Sequence, residues 1–184
     1  LMMLCAGASE QSVSQWASTF AERGLGVSKT LGDLAGPMAF AILMGSERAF
    51  YGRFGDKLDL DKFMMGSGIL CIVSYLCISL AQTPFLSLVG CAICCLSVGI
   101  MWTGSFSKAS ASIRNGGTAM FALLALAGDL GCSGGPTLVG YLSSIQSNDL
   151  RKGILAAIAF PVLLVLGILL LKTLKFFSGK LVRG

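Results

Sequence analysis

Two carboxylates stand where so apolar a chain has little reason to place them. Glu10 lies in the opening stretch LMMLCAGASEQSVSQW, and Asp129 lies inside the run Gly128-Asp129-Leu130-Gly131-Cys132-Ser133-Gly134-Gly135-Pro136. An ionisable side chain within a membrane span costs about 2.5 to 3.5 kcal/mol on insertion scales unless it pairs or meets water. A carboxylate held out of water can serve as a proton site or bond a polar solute; the other use open to each is to bond a neighbouring helix. Glu10, Gln11, Ser14, Gln15 and Ser18 share one arc at helical spacing, whereas Val13, Trp16, Ala17 and Phe20 occupy the other. Amides bond hydroxyls and an indole offers an apolar face to a pyranose ring. Gln11, Gln15, Trp16 and the second tryptophan, Trp102, are therefore candidate binding residues for a sugar-like solute, with packing or an interfacial position as the alternative for each indole.

A second kind of chemistry is ionic. The stretch GSERAFYGRFGDKLDLDK, from Gly45 to Lys62, concentrates Arg48, Arg53, Lys57 and Lys62 among Glu47, Asp56, Asp59 and Asp61. As a loop between two spans, it can make and break ion pairs as helices rock, with Asp56 and Lys57 as conformational residues; the alternative is a solvated topology signal. Arg48 either latches a gate by pairing with an acidic partner or snorkels to the membrane surface. The chain has seven cysteines and no histidine. All seven thiols fall in apolar segments, which is no disulfide framework. Cys91 and Cys94 have the CxxC spacing, but no second pair or His completes a metal site, so packing is their expected use. Without imidazole, the usual Ser-His and Cys-His nucleophile pairs are excluded, and no other clustered nucleophile, base or metal set suggests a membrane enzyme.

The elements that must position these residues are membrane helices. Mean hydropathy is +0.79, and 54% of residues are hydrophobic against 12% charged, which is the integral-membrane class. The net charge of +5 is strung between and after apolar runs, the pattern of membrane loops and not of nucleic-acid binding. Six spans are expected, over about 1–20, 31–50, 63–81, 85–106, 118–144 and 153–171, with a loop at 21–30, the charged loop at 45–62 and an external loop at 146–152. Gly90, Gly99 and Gly104 on the fourth span, and Gly134, Gly135 and Pro136 on the fifth, allow close approach or bending.

The positive-inside rule sets the orientation. Arg48, Arg53, Lys57, Lys62, Lys108, Arg114, Lys172, Lys175, Lys180 and Arg183 then lie inside, against Arg23, Lys29, Arg151 and Lys152 outside. The C-terminus is expected in the cytoplasm. Leu1 reads as an internal position, part-way along a helix whose cytoplasmic start lies upstream.

At Gly52-Arg53-Phe54-Gly55-Asp56-Lys57 the sequence resembles the signature between the second and third helices of each half of major facilitator superfamily transporters. It departs from that pattern where Asp59 and Asp61 intervene. Gly7-Ala8-Ser9-Glu10 with Trp16 looks like the seventh helix of the fucose-permease-like branch, and Gly128 to Pro136 looks like its eleventh. The resemblance implies an all-α membrane bundle forming the C-terminal six-helix half of a twelve-helix carrier, built from 3+3 inverted repeats. It implies a plasma-membrane location, a partner in the other six-helix half, and Gly52, Asp56 and Lys57 as gating residues. The expected function is uptake of a sugar or similar small polar solute by alternating access, with a proton gradient as driving force and no cofactor. The alternatives are an exporter of the same superfamily and a six-helix fragment inactive alone.

Overall fold

The computed structural model describes residues 1–113, 116–145 and 149–181. Arg114, Arg183 and positions 146–148 lie outside the described residues, as do the side chains of Arg23, Asp56, Lys175 and Lys180. Among the described residues the chain is helical without strands. In order come α1 (Met2–Ser14), α2 (Ala17–Leu25), α3 (Lys29–Phe54), α4 (Leu60–Leu80), α5 (Pro84–Ser112), α6 (Gly117–Ile145), α7 (Leu150–Ala157) and α8 (Ala159–Leu181).

Four stretches are long and apolar enough to cross a bilayer: Leu60–Leu80, Phe85–Ser112, Gly117–Ile145 and Leu150–Leu174. By length and composition, four of the described helices are candidate spans, where the sequence suggested six. The outer faces support the membrane assignment. On α4 Ile69, Leu70, Val73, Leu76 and Leu80 are exposed, and on α8 Leu163, Leu166, Leu169 and Leu170; such contiguous apolar surface suits lipid and not water.

The boundaries correct the sequence reading in four places. The first expected span breaks at Gln15–Trp16, where the Trp16 N–H bonds Val13 O at 3.0 Å in a tightened turn, and helix then resumes to Leu25. The loop expected over 21–30 shrinks to Gly26–Ser28. Gly26 ends α2 at φ +64°, a left-handed conformation that glycine takes without steric cost, and the Ser28 hydroxyl caps α3 by accepting from Leu31 N–H. The charged stretch is mostly helix: α3 runs through Arg48 and Arg53, a 3₁₀ turn spans Gly55–Lys57, and Asp59 starts α4 by accepting from the amides of Asp61 and Lys62. Finally, the last span begins earlier than Gly153 and is interrupted at Ile158 between α7 and α8. Pro161 explains that break, because its ring clashes with the carbonyl four residues back and supplies no N–H.

Inside, α4 packs along α5, α3 lies across α5, and α1 lies along α6. The core joins Met64, Cys71, Tyr75 and Ile78 of α4 to Cys91, Cys94, Cys95, Val98 and Met101 of α5. The cysteines named there are thus packing residues. Tyr75 ties this pair to α1 by donating its hydroxyl proton to Ser9 O at 2.7 Å.

The α1–α6 seam is made by missing side chains. Gly128, Gly131 and Gly135 form the buried stripe of α6 together with Val139 and Ser143. A Cβ on Gly131 would collide with the α1 backbone at Leu4 and stand 2.9 Å from Ala8 N, and one on Gly135 would stand 2.7 Å from Ala8 O. In lipid, where apolar burial gives helices little reason to associate, such backbone contact is a main source of attraction. Replacing Gly131 by Leu is expected to lower stability by about 1–3 kcal/mol, read as an earlier thermal unfolding transition in detergent. Gly134→Leu is the control: nothing lies within 4 Å of that position, and the expected change is about 0.5 kcal/mol or less.

Candidate functional site

Adjacent residues of α3 meet one peptide group of α5. The Arg48 Nε–H donates to Gly99 O at 3.0 Å, and Glu47 Oε2 accepts from Ile100 N–H at 3.2 Å. The carbonyl of Gly99 and the amide of Ile100 belong to the same peptide unit, so α3 holds both of its polar ends. The other Glu47 oxygen, Oε1, accepts from the Ser67 hydroxyl of α4 at 3.1 Å. Glycine is required for this approach, since a Cβ at residue 99 would overlap the Glu47 carboxylate and lie 2.8 Å from Met44 O.

From that anchor Arg48 reaches Glu10 of α1, with Nη2 4.0 Å from Oε2. The Glu10 side chain is 12% exposed and that of Arg48 39%. Glu10 Oε2 is buried and accepts no hydrogen bond; the Arg48 guanidinium is its ion-pair partner. Three helices thus converge on two carboxylates and one cation. Trp102 sits one turn beyond Gly99 on α5 and packs on Gly128 of α6. Its indole N–H is buried without an acceptor.

The sequence-derived candidates separate into groups. Glu10 and Arg48 come together beside Gly99, and Trp102 lies one turn further along α5, packed on Gly128. Gln11 is half-buried and accepts from Ser14 Oγ at 2.9 Å within its own helix. Gln15 is exposed at the α1–α2 break. Trp16 is half-buried near Gly140 of α6, its N–H also buried and unsatisfied. Asp129 follows Gly128 on α6, but its side chain is exposed on the face away from the α1 seam. At the α3–α4 turn, Gly52 and Lys57 are exposed and nothing crowds Gly52; the Asp56 side chain lies outside the described residues. A separate, mostly apolar cavity of about 420 Å³ has Met3, Ser105, Lys108 and Gly167 in its wall but none of Glu10, Arg48 or Trp102. Lys108 pairs there with Asp61. Among the described residues no group of three or more His, Cys, Asp or Glu is placed to hold a metal ion.

Glu47 escaped the sequence reading because it looked like one more charge in a loop. A signal was present: Phe40, Met44, Glu47 and Tyr51 follow helical spacing, and all four face inward in the structure, buried or half-buried. A carboxylate in an apolar stripe calls for a partner.

No protein-family model, curated protein or solved structure matches the chain.

If the Glu10–Arg48 pair interacts, Glu10→Gln and Arg48→Gln are non-additive. The expected coupling is about 0.5–1 kcal/mol, at the low end because Arg48 is partly solvated. Chemical unfolding of both single variants and the double variant in micelles measures it, and strict additivity would show the two residues to be independent.

Proposed function

We propose that this chain forms half of a secondary active transporter of the major facilitator superfamily, moving a small polar solute of the sugar class with protons by alternating access. The binding site is completed by a second six-helix unit, and the bundle sits in the plasma membrane with its C-terminus in the cytoplasm. The observation that carries the proposal is the Glu10–Arg48 contact: a half-buried carboxylate whose buried Oε2 accepts no hydrogen bond faces a guanidinium between helices of a membrane bundle. Such a pair adds little to stability, because Arg48 is partly solvated and Glu10 gives up water to meet it. It suits groups that exchange partners during a cycle. Trp102, one turn beyond Gly99 on α5 with a buried indole N–H that has no acceptor, offers one donor and one ring face to a hydroxylated ligand. Gly52, Asp56 and Lys57, at the turn between α3 and α4, are the gating residues of this reading, and Arg48 links that turn to the site.

The test is uptake of a panel of radiolabelled monosaccharides into proteoliposomes under an inward proton gradient. The expected outcome is accumulation of one sugar that an uncoupler abolishes and that Glu10→Gln reduces at least tenfold. Expulsion of lipophilic dyes without sugar uptake would replace the importer with an exporter of the same class.

A further inference from the structure

The cluster contains more negative than positive charge. Glu10 and Glu47 supply two carboxylates and Arg48 the one cation, so with both acids ionised it carries one net negative charge among half-buried side chains. The charged and titratable neighbours are few. On α3 itself Glu47 has Arg48 beside it and the Tyr51 phenol one turn on; α4 presents Ser67, and α5 presents only the Gly99–Ile100 peptide. Across the pair, α1 contributes Glu10, and α6 contributes the Cys132 thiol, 3.0 Å from where a Cβ on Gly7 would lie, with Asp129 one turn before it. Lys108, further along α5, is engaged by Asp61.

The two acids are not equivalent. Arg48 directs its Nη2 to Glu10 and uses its Nε on Gly99 O; no Lys or Arg nitrogen lies within 4.0 Å of Glu47 among the described residues. Glu47 is held instead by neutral donors, Ser67 O–H on Oε1 and Ile100 N–H on Oε2. Each carboxylate oxygen has a second lone pair, so a proton can add to Glu47 without breaking either bond, and the cluster then becomes neutral. Protonating Glu10 would instead leave Arg48 without its closest counterion.

We infer that Glu47 is the group that binds and releases the transported proton, with Glu10 held ionised as the counterion of Arg48. On loading, a proton from water adds to the Glu47 carboxylate; on unloading it returns to water on the other side, and nothing else is consumed. The inference rests on the proton-coupled reading above, and it adds to that reading which carboxyl is the carrier and which is the fixed partner.

Infrared titration of the protein in lipid nanodiscs, labelled with carbon-13 glutamate, tests it without any transport measurement. The chain contains three glutamates, Glu10, Glu22 and Glu47, and Glu22 is exposed. The protonated-carboxyl band of a buried glutamic acid is expected in the wild type and absent from Glu47→Gln. In Glu10→Gln the band persists, with its midpoint lower by about one pH unit because Arg48 then favours the remaining carboxylate. A band that survives Glu47→Gln, or vanishes in Glu10→Gln, overturns the assignment. If Glu47→Gln does not fold, Glu10→Gln alone decides between these outcomes. A protein with the expected titration but no solute uptake would refute the transporter reading and leave the proton site standing.

Discussion

One peptide unit governs the arrangement of the polar residues. Gly99–Ile100 lies inside α5, yet its carbonyl takes the Arg48 Nε–H and its amide donates to Glu47. Consecutive side chains normally diverge by about 100° around a helix, so two neighbours can grip one target only where the helices come very close. Glycine at position 99 permits that approach. Arg48 is fixed as a result, and its Nη2 is left to face Glu10. Charged groups in an apolar bundle are tolerated when each has a geometric partner; here the partner of first resort is the backbone.

The same device, glycine in place of a side chain, holds the other seam. Along α6 the buried stripe opens with Gly128, Gly131 and Gly135, and α1 lies directly on that backbone. Large aliphatic residues do the opposite work and cover the faces of α4 and α8 that point outward. At the α1–α6 seam small residues sit at the contacts, while leucines cover the periphery of α4 and α8. That distribution follows from a solvent as apolar as the leucines themselves. The α4–α5 pair is more conventional, with Met64, Tyr75 and Ile78 packed on a row of cysteines.

These two seams place the ionic cluster between helices that are held by different means. α1 is bound to α6 through glycine, to α4 through the hydrogen bond from Tyr75 to Ser9 O, and it packs on α5 and α8 as well, whereas α3 packs on α5 and α2 and grips one α5 peptide. The Glu10–Arg48 contact joins α1 to α3. An ion pair at such a boundary responds to small relative displacements, which is the mechanical basis of the function proposed for it.

Much of this was legible in the sequence. Long apolar runs announced membrane helices because no water-soluble fold needs them. Glu10 and Asp129 stood out because a carboxylate in such a run is costly, and the glycine run around Asp129 signalled close helix contact. The charged stretch misled, since charge density suggested loop while helix formers and the Asp59 cap carried α3 and α4 into it. What the linear pattern could not decide was pairing. That Arg48 meets Glu10, that Glu47 faces Ser67, and that Asp129 turns away although its neighbour Gly128 is buried all depend on helix rotation and on separations of dozens of residues. The sequence by itself determined the solvent this chain is built for and which residues would be expensive there. Only the tertiary structure decided which of them share that cost, because partnership is set by how glycine lets three particular helices approach.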